Sequence, residues 1–209
     1  MIDKIYIINL DKRTDRLEHV EKNVIPFLPY PEKIQRFSAV DHTHYQKSEQ
    51  RAAGCSLSHL KIWNDAISNN YRNILIIEDD FNWIVPKEKV HQAFTQIESI
   101  DYNVIQIAYN TKAPIVKTQY NNLYRCNFAL TTSGYFINVD FSKTMIKSIE
   151  DSISNLMNTN TTIHQNAIDV IMTKFQNDDK WFLYSRLGNQ IQDHSNITNT
   201  KTTGKWFAL

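Results

Sequence analysis

Four branched apolar residues in a row, Ile74, Leu75, Ile76 and Ile77, run directly into Glu78, Asp79 and Asp80. No other stretch constrains the chain as much. An unbroken apolar run of strand length has no polar face to offer water, so it predicts a strand covered on both sides, as in parallel α/β sheets. In open sheets of that kind, ligands sit just beyond the carboxyl ends of the strands, where these three acids fall. Carboxylates so close repel one another and lose hydration unless a cation or hydrogen-bond donors offset them. The tripeptide therefore points either to a hard divalent metal with a phosphorylated ligand behind it, or to a strand running out into a solvated acidic turn.

The rest of the chain supplies further strands and helices in alternation. Residues 4–9 read as a first buried strand, and Asp11 as the N-cap of a helix over about 12–24, ended before Pro26 and Pro29. A second strand is predicted over 33–40, a polar loop over 42–52, and a helix over about 53–69 whose apolar face carries Leu57, Leu60, Ile62, Trp63 and Ile67. Pro86 opens a helix with Val90, Phe94 and Ile97. Residues 103–108 form a buried strand, 110–122 a loop or short edge hairpin, and 129–138 another strand. Asp140 caps a helix to about 155, an Asn/Thr-rich linker covers 155–162, a helix lies near 164–175, and 181–184 make a last strand before a polar tail. The expectation is one α/β domain over 1–209, its mostly parallel sheet flanked by helices on both faces.

Composition closes off several function classes. Lys and Arg number 23 against 22 Asp and Glu, a net charge of +1, so no bulk field draws in nucleic acid or an anionic membrane. Only 4 Gly are present, and neither a G-x-G-x-x-G nor a G-x-x-x-x-G-K-[ST] motif occurs, which counts against a dinucleotide fold or a P-loop. No stretch approaches the length of a membrane span, and the first strand begins too early to leave room for a signal peptide. Cys55 and Cys126 allow one disulfide, but without a secretory signal they read as two buried free thiols. A cytoplasmic protein, peripheral to a membrane at most, is the expectation.

Two further segments carry chemistry. After the first strand come Asn9, Leu10, Asp11, Lys12, Arg13, Thr14, Asp15 and Arg16; Arg13 and Arg16 at i,i+3 share a helix face near the predicted acidic edge. Paired guanidinium groups beside a helix N-terminus suit an anionic or nucleotide ligand, or else balance Asp11, Asp15 and Glu18 in solvent. Gly54, Cys55, Ser56, Leu57, Ser58 and His59 begin a helix where serine, histidine and free N–H groups converge, a place to hold a diphosphate or a sugar hydroxyl. Cys55 and His59 sit one helical turn apart; such a pair is either a nucleophile with its base or a buried thiol beside a hydrogen-bonded core histidine.

In this order the three segments resemble glycosyltransferase family 25, which includes bacterial lipooligosaccharide galactosyltransferases and animal collagen galactosyltransferases. The family's I-N-L-x-x-R-x-x-R is matched by Ile8, Asn9, Leu10, Arg13 and Arg16, its G-C-x-x-S-H by Gly54, Cys55, Ser58 and His59, and its apolar strand with E-D-D by Glu78, Asp79 and Asp80. Weaker similarities follow at Ser133, Gly134 and Tyr135, at Ile168 and Asp169, and from Gln192 to Ile197. Asn196 stands where the family often has an aspartate.

The resemblance implies a GT-A-type nucleotide-binding domain that uses a UDP-sugar and Mn2+ or Mg2+, with a glycan, lipooligosaccharide or collagen-like acceptor. Asp80 would bind the metal, with His194 completing its shell. Asn9, Leu10, Arg13, Arg16, Gly54, Ser58, His59, Glu78 and Asp79 would hold the nucleotide sugar. An inverting reaction needs a general base on the acceptor hydroxyl; Asp169 is the candidate and Asp193 the second choice. Two alternatives remain at this point: a non-catalytic nucleotide-sugar-binding domain of the same fold, and a nucleotidyltransferase using the same carboxylates.

Overall fold

The computed structural model describes residues 1–158, 161–191, 195–198 and 200. An eight-stranded sheet runs through the molecule in the order β2-β1-β3-β8-β5-β9-β7-β6. Its strands are β1 (Lys4–Asn9), β2 (Ile34–Ser38), β3 (Asn73–Glu78), β5 (Val104–Asn110), β6 (Val116–Lys117), β7 (Leu123–Arg125), β8 (Leu130–Asn138) and β9 (Trp181–Tyr184). A separate ribbon pairs β4 (Phe81–Trp83) with β10 (Gly188–Gln190). β1, β2 and β3 are mutually parallel, as are β5 and β9. Between these two groups β8 runs antiparallel to both β3 and β5.

The helices are α1 (Thr14–Asn23), α2 (Ser48–Ser68), α3 (Lys87–Glu98), α4 (Val139–Asn158), α5 (Ile163–Asn166) and α6 (Ile168–Thr173). Alternate side chains of a strand point to opposite faces, and the two cores follow that rule. Ile5, Ile7, Leu75, Ile77, Ile105, Ile107 and Phe136 pack on one face with Val20, Val90, Phe94 and Ile97 from α1 and α3. Tyr6, Ile8, Ile74, Ile76, Val104, Tyr135 and Ile137 pack on the other with α2, α4 and α6, through Trp63, Met145, Ile149 and Ile171. The predicted two-sided strand is therefore two-sided: all four residues of 74–77 are fully enclosed, each burial stabilising by about 1.5–3 kcal/mol.

Several boundaries differ from the sequence expectation. Asp11 does not cap α1; it takes hydrogen bonds from Arg36 and Ser38 of β2, and the helix starts one residue after Arg13. The loop over 42–52 ends early, because α2 begins at Ser48. The helix near 164–175 is broken at Ala167, whose extended backbone separates α5 from α6. The edge hairpin exists as β6–β7, whereas β4 and β10 are too short to leave a periodic signal. Among the described residues, no helix is long and apolar enough to cross a membrane. Both cysteines are free thiols, Cys126 buried and Cys55 half-buried.

Candidate functional site

β1, β3 and β8 meet at one edge of the sheet, and a pocket of about 230 Å³ opens there against α2 and the segment 195–197. Glu78 is the last residue of β3; Asp79 and Asp80 form the turn into β4. The structure gives each acid a different set of partners. Asp79 is nearly enclosed: Oδ1 lies 2.8 Å from Arg16 Nη1, and Oδ2 accepts from Asn9 Nδ2 at 2.8 Å. Asn9 also donates to the Arg13 carbonyl and accepts from Arg36, so it joins β1, the start of α1 and β2 around that carboxylate.

Asp80 faces Arg16 at 3.6 Å and takes only long contacts from Gln190 Nε2, at 3.3 and 3.5 Å. Burial, then the neighbouring charges of Glu78 and Asp79, push its carboxyl up to about 8. Glu78 is held the other way. Its Oε1 lies 3.1 Å from His59 Nε2 and accepts from Thr132 Oγ1 at 2.6 Å. Burial opposes its charge, yet these two partners, with Arg16 beyond them, leave its carboxyl below the usual value.

Asp169 lies in the first turn of α6. Its Oδ2 accepts from the Thr131 backbone N–H at 3.1 Å and its Oδ1 from that of Val170 at 2.9 Å. Burial nonetheless raises its carboxyl above the ordinary aspartate value. Thr131 reaches Asp169 from a left-handed backbone, φ 87°, beside a β5–β8 register shift. A β-branched residue there is strained, and such strain concentrates at working sites. The Cys55 thiol registers the whole cluster: burial, then the charges of Glu78, Asp169, Asp80 and Asp79, push it well up. Asp169 therefore shares one field with the acids of the β3 edge.

Other expected site residues hold the walls. Leu10 and Ser58 line the pocket, but the Ser58 hydroxyl is engaged, donating to the Gly54 carbonyl and accepting from Val40 N–H. Gly54 lets α2 approach the 40–42 segment; a Cβ there would sit 2.8 Å from His42 Cβ and 2.9 Å from the Val40 carbonyl. Arg13 and Arg16 do not share a helix face, because Arg13 precedes the helix. It pairs with Asp15 and reaches Asn196, while Arg16 turns back to the acids. His194 and Asp193 lie outside the described residues.

Sequence reading overlooked Thr131, Thr132, Gln190 and Arg51, the last donating to the carbonyls of Tyr45, Gln46 and Ile197. Thr132 was legible only as part of a strand, and Arg51 lay within a segment read as loop.

One set of three donors and one single acid invite a metal. Cys55, His59 and Glu78 place ligand atoms within 4.8 Å of one another. Both His59 nitrogens already have partners, Tyr135 Oη and Glu78, and the thiol is disfavoured as thiolate. Asp80 fits better: an oxygen donor, weakly engaged by Gln190, whose ionised form its acidic neighbours penalise. A hard cation would remove that penalty.

Comparison with known proteins gives the family and the fold. The model of glycosyltransferase family 25, described as an LPS biosynthesis protein, matches residues 2–172. Procollagen galactosyltransferase 1 of Danio rerio is 22% identical over an alignment of 177 positions that covers 70% of this chain and 28% of that protein. The chain thus spans less than a third of that relative's length. The fold resembles the crystal structure of a glycosyltransferase involved in the glycosylation of the major capsid of PBCV-1, with a TM-score of 0.54 and 11% identity over 95% of this chain and 97% of that one. At that identity the likeness is one of fold, a GT-A-like α/β architecture. The family match runs from the first strand through Asp169, across every acid of the pocket, and the chain belongs to glycosyltransferase family 25.

Proposed function

We propose that this glycosyltransferase moves a hexose, galactose or glucose, from a UDP-sugar to a hydroxyl of a glycan or hydroxylysine-type acceptor, inverting the anomeric centre with Mn2+ or Mg2+ held at Asp80. The observation that carries the reading is the state of Asp80: a carboxylate only 17% exposed, beside two further acids and 3.6 Å from Arg16. The galactosyl part rests on the name of the Danio rerio relative, and the hydroxylysine-type acceptor on the family resemblance. When bound, the metal would neutralise charge developing on the diphosphate as the sugar–phosphate bond breaks.

The chain's own residues do the rest. Arg16, anchored by Asp79, keeps a positive charge at the edge where the diphosphate lies. Glu78, Leu10 and His59 line the pocket that receives the donor. Asp169 takes the proton of the acceptor hydroxyl as its oxygen attacks the anomeric carbon, and the UDP oxygen leaves from the opposite side. Backbone N–H groups on both Asp169 oxygens orient the carboxylate without giving it a competing cation.

Calorimetric titration of UDP with and without Mn2+ tests the metal assignment. Wild-type protein should bind UDP at least tenfold more tightly with Mn2+, about 1.4 kcal/mol, and Asp80→Ala should abolish that difference. Unchanged metal-dependent affinity in Asp80→Ala removes Asp80 as ligand. UDP release from a panel of UDP-hexoses identifies the donor.

A further inference from the structure

A line of enclosed polar groups runs inward from the pocket wall, and two of them, Trp63 and Tyr135, have no role in the transfer outlined above. Trp63 of α2, Tyr135 of β8 and His59 of α2 are all 0% exposed. Trp63 Nε1 lies 3.2 Å from Tyr135 Oη, Tyr135 Oη 2.8 Å from His59 Nδ1, and His59 Nε2 3.1 Å from Glu78 Oε1. We propose that Tyr135 is a positioning residue for Glu78: its hydroxyl, held by Trp63, fixes His59 in the tautomer with hydrogen on Nε2, and that N–H sets the Glu78 carboxylate in the donor pocket. The inference rests on the donor-site reading of Glu78.

The direction of the line follows from what each group can do. An indole N–H only donates, so the Tyr135 oxygen must accept from Trp63. The phenol keeps its own proton, since burial pushes its pKa well up, and a buried O–H needs an acceptor. His59 Nδ1 is the acceptor at hand. With no hydrogen on Nδ1, the imidazole is neutral and carries its proton on Nε2, facing Glu78. Thr132 Oγ1 donates to the same Glu78 oxygen, so two donors from different elements converge on Oε1 and fix the carboxylate. The reverse tautomer would set the Nε2 lone pair against the carboxylate and strand the phenol proton. A histidine serving only to fill the core would need partners, but not partners ordered one way from α2 to an acid that lines the pocket.

The ring state can be read without enzymology. Nitrogen-detected NMR of the ligand-free wild-type protein, labelled at histidine, should show His59 with Nε2 protonated and Nδ1 unprotonated at neutral pH; hydrogen on Nδ1 overturns the proposal. The kinetic arm uses Tyr135→Phe, which should raise the donor KM on the order of tenfold, the scale of one hydrogen bond to a charged group, with a smaller change in kcat. In a His59→Gln background, where an amide NH2 can reach Glu78 without reference to Tyr135, Tyr135→Phe should add less than twofold. Equal losses in both backgrounds overturn the route through His59. The expected ring spectrum with an unchanged donor KM overturns the donor-site role of Glu78 while the tautomer stands, so the two failures are distinguishable.

Discussion

Asp169 shows how a single carboxylate is prepared for two demands. Two backbone N–H groups favour its charge and burial opposes it, with burial prevailing. A base must be ionised to act, so turnover should be full above its raised pKa and fall as the pH drops through it. That acid limb lies higher than an ordinary aspartate would give. Asp169→Asn should lower kcat by about 10²–10⁴-fold, leave UDP binding intact and abolish the limb; near-normal transfer by the variant would remove Asp169 as base. The residue types of this site were legible in the chain, since E-D-D after an apolar run and an isolated Asp in a short helix announce acids at a strand edge. Their division of labour was not. Asp79 and Asp80 are adjacent in sequence, yet Asp79 is held at 2.8 Å by both Asn9 and Arg16 while Asp80 meets Arg16 at 3.6 Å and Gln190 at 3.3 Å, because the turn points them at different neighbours.

Helix α2 belongs to the next scale: the motif expected at a helix start with free N–H groups lies inside the helix, which begins at Ser48, and serves as a joint. Gly54 and Ser58 are one turn apart and face the same backbone, the segment at Val40 and His42. Gly54→Ala gains about 1 kcal/mol of helix propensity, but its methyl meets a backbone carbonyl at 2.9 Å, and overpacking of this kind costs about 1–3 kcal/mol. The expected net outcome is a less stable protein in urea unfolding and a raised donor KM, because Val40 and His42 line the pocket. A variant as stable as wild type would show that α2 can retreat freely. Helix α2 itself was readable from its apolar period; its first turn was not, since residues 48–51 are polar and resemble a loop until Ala52 and Ala53 find Leu156 of α4. Strand β4 escaped for the opposite reason: three residues carry no period, and their pairing partner lies over a hundred positions away.

Across the whole molecule, the alternation of strands and helices was enough to anticipate a covered α/β sheet, because each strand's apolar run reports its own burial. The reversal of β8 was not, since strand direction is set by connections and leaves the residue pattern unchanged. That reversal has a consequence for how such an enzyme can diversify. Because β8 enters the sheet at the ligand edge, the stretch between β5 and β8 opens and closes beside Thr131 and Asp169. On the proposed reading the nucleotide side is built from the carboxyl ends of β1 and β3. On that reading separate stretches of chain supply the two halves of the site, and the acceptor half can be exchanged without disturbing the other. Grafting residues 111–129 from a relative with a different acceptor should therefore change which hydroxyl receives the sugar while UDP affinity stays within about threefold, under 1 kcal/mol; a graft that weakens UDP binding would show the halves to be coupled. Specificity in such a chain would be inherited as a cassette.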